Sequence, residues 1–259
     1  MRKLFFIAIL FSATGFLFGQ SLQKGNLVGV HVAELRLKPG VTEEQAVAFM
    51  LEKMIPAWEK NYDTKEYLMR SIKGKDIGKF AILTVFKDEN HRDKYYSNSP
   101  EARGELKKID LAMKDVNSES DKFWYPIDAT YNDYLILAGK GWEIKKGSII
   151  NINNDAVQLN LGFTNQQFVD YFIDNIIPAA NSYYPDLGIS ASRIIRGDDS
   201  TKAGFIYYFA DENVRSKLFD KDGNQTQFLI DYWTKYKDIY EGWGKIGTID
   251  GSFNDWVVL

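Results

Sequence analysis

The fold is decided by Ile127-Asp128-Ala129-Thr130-Tyr131-Asn132-Asp133-Tyr134-Leu135-Ile136-Leu137 and by the end of the chain, Ile249-Asp250-Gly251-Ser252-Phe253-Asn254-Asp255-Trp256-Val257-Val258-Leu259. The two stretches are the same phrase, 122 residues apart. At that shift Ile55-Pro56-Ala57 meets Ile177-Pro178-Ala179, and Gly40-Val41-Thr42 meets Gly162-Phe163-Thr164. At a shift of 123, Phe86-Lys87-Asp88-Glu89-Asn90-His91-Arg92 meets Phe209-Ala210-Asp211-Glu212-Asn213-Val214-Arg215, and Arg70 meets Arg193. A single loop insertion changes the shift by one. Blocks repeated in one order mark a tandem duplication. The copies are expected at 27–137 and 149–259, joined by a Gly- and Lys-rich connector at 138–148.

Each copy reads as the same series of elements. Val28–Leu37 alternates, with Val28, Val30 and Val32 on one face and His31, Ala33 and Leu35 on the other. Thr42 with Gln45, and Thr164 with Gln167, have capping-box spacing at the start of a helix. Pro56 and Pro178 lie late in these helices and are expected to kink or end them. Two strand-like runs follow in each copy, Tyr67–Ile72 with Phe80–Phe86 and Ile189–Ile195 with Phe205–Phe209. Gly- and Asp-containing turns join them. A second helical region begins after Asp88 and Asp211, and a last strand closes the unit.

The order is β-α-β-β-α-β, the ferredoxin-like unit, an α+β class with an antiparallel sheet in strand order 4-1-3-2. Its helices cover one face. The other face is also apolar, and two copies can bury it against each other.

Glu34-Leu35-Arg36-Leu37-Lys38-Pro39-Gly40 followed by a helix with a late proline, taken with the duplicated order, resembles the dimeric α/β-barrel superfamily. Members include antibiotic-biosynthesis monooxygenases, muconolactone-isomerase-like proteins, chlorite dismutases and the NIPSNAP type. The resemblance implies one eight-stranded barrel from two fused halves, with small molecules bound between sheet and helices. Haem-binding members hold the haem by a helical His of the haem-bearing domain. The second copy here has no His, so the resemblance implies no haem.

Composition narrows the function. The chain has 259 residues, 45% hydrophobic, enough for a packed core and incompatible with disorder. The absence of Cys excludes disulfides, thiolate metal sites and cysteine nucleophiles, and two His leave little for metal chemistry. No cofactor and no metal are expected. Residues 1–20, with Arg2 and Lys3 ahead of an apolar run and a small-residue end, have the layout of a secretory signal peptide; an N-terminal membrane anchor is the alternative. Its removal deepens the net charge from −3 to −5. The remaining basic residues are scattered, so nucleic acid is not an expected partner. The expected protein is exported, periplasmic or extracellular, a monomer or homodimer, with no membrane span after signal removal.

Candidate sites follow from the same pattern. His31, matched by Asn153, is the candidate catalytic base or acid, against the alternative of a packed strand histidine. Arg70 and Arg193 share a strand face with apolar residues, and each is expected to pair with an acid or to meet an anionic ligand. Trp58, Tyr67, Tyr184 and Tyr207 are candidate ligand-binding aromatics. Asn132-Asp133 and Asn254-Asp255, repeated just ahead of the last strand, are expected to make a turn or cap hydrogen bond. His91-Arg92-Asp93 matches a kinase catalytic-loop pattern without its glycine-rich loop or Asp-Phe-Gly, and is read as coincidence. Asp220-Lys221-Asp222-Gly223-Asn224 lacks calcium-loop carboxylates at its ends and is read as a polar turn. The expected function is binding of a small hydrophobic or aromatic molecule. The alternatives are a cofactor-independent monooxygenase or isomerase in which His31 polarises a substrate oxygen, and a non-catalytic interaction protein of the cell envelope.

Overall fold

A computed structural model describes residues 22–199 and 202–259. The expected signal segment, 1–20, lies outside them. The first half runs β1 (Leu27–Ala33), α1 (Glu43–Phe49), α2 (Ile55–Tyr62), β2 (Lys65–Gly74), β3 (Phe80–Phe86), α3 (Glu89–Tyr96), α4 (Pro100–Ser120) and β4 (Ala129–Gly139). The second runs β5 (Ile149–Leu159), α5 (Asn165–Tyr171), α6 (Ile177–Tyr183), β6 (Leu187–Gly197), β7 (Ala203–Phe209), α7 (Glu212–Ser216), α8 (Gln227–Lys235), α9 (Lys237–Gly244) and β8 (Gly247–Val258).

The strands close into one antiparallel barrel in the order β1-β3-β2-β8-β5-β7-β6-β4. Within each half this is the expected 4-1-3-2. The halves join at two seams, β2 with β8 and β4 with β6. Closure leaves no strand edge unpaired among the described residues. Alternation explains what fills the interior. Val28 and Val30 point inward with Leu83, Val85, Ile150 and Ile152, and the repeat partners Tyr134 and Trp256 are buried among them. Each such large apolar side chain contributes about 1.5–3 kcal/mol on burial.

The connector does more than span. Trp142 and Ile144 join Leu22 in the interior cluster. Trp142 stacks on Tyr208 with ring centroids 4.5 Å apart. A Cβ on Gly188 would lie 2.4 Å from the Trp142 ring, so only glycine fits beneath it.

Both capping boxes form, at Thr42 with Gln45 and at Thr164 with Gln167. Of the two effects expected of the prolines, ending the helix is not seen. Neither Pro56 nor Pro178 ends its helix; each stands in the first turn of a continuing segment, α2 or α6. A π-helical turn precedes each, at Met50–Met54 and at Phe172–Ile176. There the Ile55 amide donates to Met50 O and the Ile177 amide to Phe172 O, five residues back. The wider turn accommodates a residue that has no N–H and a ring crowding the preceding turn. The first strand is also shorter than expected. It stops at Ala33, after which the chain leaves the sheet and Leu35 and Leu37 pack with Trp124 and α1.

Candidate functional site

Between sheet and helices each half encloses a cavity, of about 360 Å³ in the first and about 300 Å³ in the second. They form for the same reason. The helix-facing residues of β1–β3 meet the first π turn and α2, and those of β5–β7 meet α6, α8 and α9. Met50, Met54 and Trp58 roof the first cavity, and Ala180 and Tyr184 roof part of the second.

His31 lines the first cavity, and its repeat partner Asn153 lines the second. The His31 ring packs 4.4 Å from Tyr131. Desolvation lowers its pKa from the usual histidine value, with Asp133 opposing and Arg92 adding to the shift, which favours the neutral imidazole.

The main polar group of the first cavity is one that the strand reading from Tyr67 onward leaves out. Glu66 lines it while only 7% exposed. Its carboxylate accepts from Thr64 Oγ1 at 2.8 Å and Thr84 Oγ1 at 2.6 Å. Desolvation raises its pKa to about 7 against these two hydrogen bonds. Glu66 faces Thr84 in the register, and the matching pair in the second half is Ile189 and Tyr207. The acid therefore belongs to one half alone. Its position in phase with Leu68 and Arg70, on the helix-facing side of β2, is the signal that could have found it.

Of the expected ligand residues, Trp58 lines the first cavity and Tyr184 and Tyr207 the second. The other three lie elsewhere. Tyr67 turns inward and packs on the barrel-interior cluster, because it alternates with Leu68. Arg70 takes the acid-pair alternative and meets Glu43 at 2.6 Å, half-exposed. Arg193 is exposed on β6.

Asn132, Asp133, Asn254 and Asp255 lie within β4 and β8 rather than ahead of them. Asp133 is fully buried and meets Arg92 at 3.0 Å and Arg196 at 3.4 Å. Asp255 is 2% exposed and accepts from Arg215 Nε at 2.9 Å. The arginine shared by the His91-Arg92-Asp93 segment and its repeat thus anchors α3 or α7 to the last strand of its own half. The Asp220 carboxylate accepts from the Asp222 and Asn224 amides at 2.9 and 2.8 Å, which makes the 220–224 segment a polar turn.

Ferredoxin-like halves, a closed antiparallel barrel and outer helices define a fused, pseudo-dimeric α/β barrel in a single chain. No protein-family model matches the sequence, and no curated protein does. Among solved structures the chain is similar to an anthrone oxidase-like protein, at 11% identity and a TM-score of 0.49, over 92% of this chain and 94% of the other. It is similar to a candidate monooxygenase from Lactobacillus acidophilus, at 10% identity and 0.48, over 91% and 94%. A heme-binding protein from Thermus thermophilus gives 9% and 0.46, over 93% of each chain. The fold stands on this chain's own strand order and register, and no ligand or activity is carried over from these proteins.

Proposed function

We propose that the protein binds a small, largely apolar molecule in the first cavity, with Glu66 as the polar anchor. The observation that carries this reading is a buried carboxyl, held by two threonines, at the wall of an otherwise apolar cavity between sheet and helices. An apolar cavity with few oriented polar groups selects a ring or short hydrocarbon bearing one hydroxyl or carbonyl. Such a group can donate to the Glu66 carboxylate or accept from the carboxylic acid. The export of the chain remains part of this proposal and is supported by the layout of residues 1–20. Titration with 2-naphthol tests the site. Saturable binding that Glu66→Leu weakens at least fivefold is expected, and equal affinity in the variant ends the reading.

One observation favours a catalytic variant. A carboxyl titrating near 7 can take a proton and return it at neutral pH. Glu66 would then move a proton from one carbon of a bound ketone to another, while neutral His31 donates to the ketone oxygen. Such an isomerisation needs no cofactor. Conversion of 3-cyclohexenone to its conjugated isomer, lost in Glu66→Gln, is the expected result. A native rate equal to buffer rejects it.

A further inference from the structure

We infer that the second cavity is a separate ligand site, specific for an aromatic carboxylate. Its chemistry differs from that of the first at the positions of His31, Glu66 and Thr84, while Tyr184 repeats Tyr62. The half that lacks Glu66 has Tyr207 and Ile189 in place of Thr84 and Glu66. Two groups in its lining are unsatisfied. The Tyr184 hydroxyl is buried and has no hydrogen-bond partner, on a residue only 7% exposed. A buried hydroxyl without a partner is costly, and a ligand oxygen reaching it would remove that cost.

The second group is Lys73, which comes from the first half across the β2–β8 seam to line this cavity. Its Nζ would be 2.7 Å from a Cβ on Gly223, which fixes the ammonium beside the 220–224 turn. Its repeat counterpart, Arg196, faces Asp133 in the register as Lys73 faces Asp255. Arg196 is matched by Glu89, Asp93 and Asp133. In the second half Ser216 stands where the first has Asp93, Glu212 in the place of Glu89 accepts from Ser216, and Asp255 is occupied by Arg215. Among the described residues Lys73 has no acidic partner. The cavity therefore combines aromatic walls, an open donor and an uncompensated cation. An aryl ring bearing a carboxylate supplies the complement to all three.

Calorimetric titration with 2-naphthoate tests the site in the native chain and four variants. One 2-naphthoate per chain is expected. Lys73→Met should weaken binding about two- to fivefold, as loss of a partly exposed ion pair does, and should flatten its salt dependence. Tyr184→Phe should weaken it about fivefold, the worth of one hydrogen bond. Glu66→Leu, which tests the first cavity, should leave the naphthoate titration in place, so the two readings fail independently. Unchanged affinity in Lys73→Met/Tyr184→Phe overturns the inference, and so does abolition of binding by Glu66→Leu. Should Tyr184→Phe fail to fold, the Lys73→Met affinity and its salt dependence decide alone.

Discussion

Asn254, in the last strand of the second half, accepts a hydrogen bond from the backbone amide of Asp76, in the hairpin of the first, at 2.9 Å. The relation is reciprocal. Asn132 of the first half accepts from the Asp199 amide of the second at 2.8 Å. Each asparagine also donates to the carboxylate of the same aspartate, at 3.0 and 3.2 Å. The hairpin glycines that allow this approach, Gly74 and Gly197, have φ of 102° and 105°. A Cβ on either would lie about 2 Å from a strand carbonyl of the opposite half, 2.1 Å from Phe253 O or 1.9 Å from Tyr131 O.

These contacts clamp the seams. Asn132→Ala and Asn254→Ala are each expected to cost about 1–2 kcal/mol, since each leaves a hairpin amide without its acceptor. Their sum should describe the double variant, because the clamps sit on opposite seams. Urea unfolding of the three variants checks this.

The buried aspartates should rank differently. Asp255→Asn leaves Arg215, whose side chain is 6% exposed, without a counter-charge. Breaking such a pair costs about 3–5 kcal/mol. Asp133→Asn leaves Arg92 with Asp93 at 3.5 Å and Arg196 with Glu89 and Asp93, so its cost should be smaller although Asp133 is the more deeply buried. Equal losses in chemical denaturation would contradict this account.

Glu66 makes stability depend on pH in an unusual direction. Its pKa rises from 4.5 to about 7 on folding, so the folded state holds the proton more tightly than the unfolded chain. This contribution is fully present below about pH 4.5, declines as pH rises through about 7, and stays lost above that. The span is on the order of 3 kcal/mol. Glu66→Gln should remove it and raise the melting temperature at pH 8 relative to the native chain. A native-to-variant difference that does not change between pH 5 and pH 8 would refute it.

Tyr184→Phe should be neutral to stabilising in the absence of ligand, by about 1 kcal/mol, because it removes a buried hydroxyl that has no partner. Tyr134→Phe is the contrast. Its hydroxyl donates to Asn154 Oδ1 at 2.8 Å, and its loss should destabilise. Thermal melts of both variants separate the two cases.

Much of the architecture is legible in the sequence because the duplication supplies each element twice. Alternation in β1 already divides Val28 and Val30 from His31, and so divides barrel interior from cavity wall. The same parity sends Tyr67 inward once Leu68 and Arg70 are assigned outward. What stays hidden depends on contacts between distant segments. The Arg92–Asp133 pair joins a helix to a strand, and Arg196 reaches the same aspartate from the other half. The π turns ahead of Pro56 and Pro178 are hidden for another reason. Proline forbids one hydrogen bond, but its sequence position does not say whether the helix stops or widens.

The covalent join between the halves changes what substitution can reach. In a homodimer every residue change is made twice, so both cavities must stay alike. Here Glu66 and Thr84 stand against Ile189 and Tyr207, and His31 against Asn153, under one conserved plan of strands and seams. Fusion lets one half set a buried carboxyl where the other has an isoleucine, so a symmetric scaffold carries two unlike chemical environments in a single gene product.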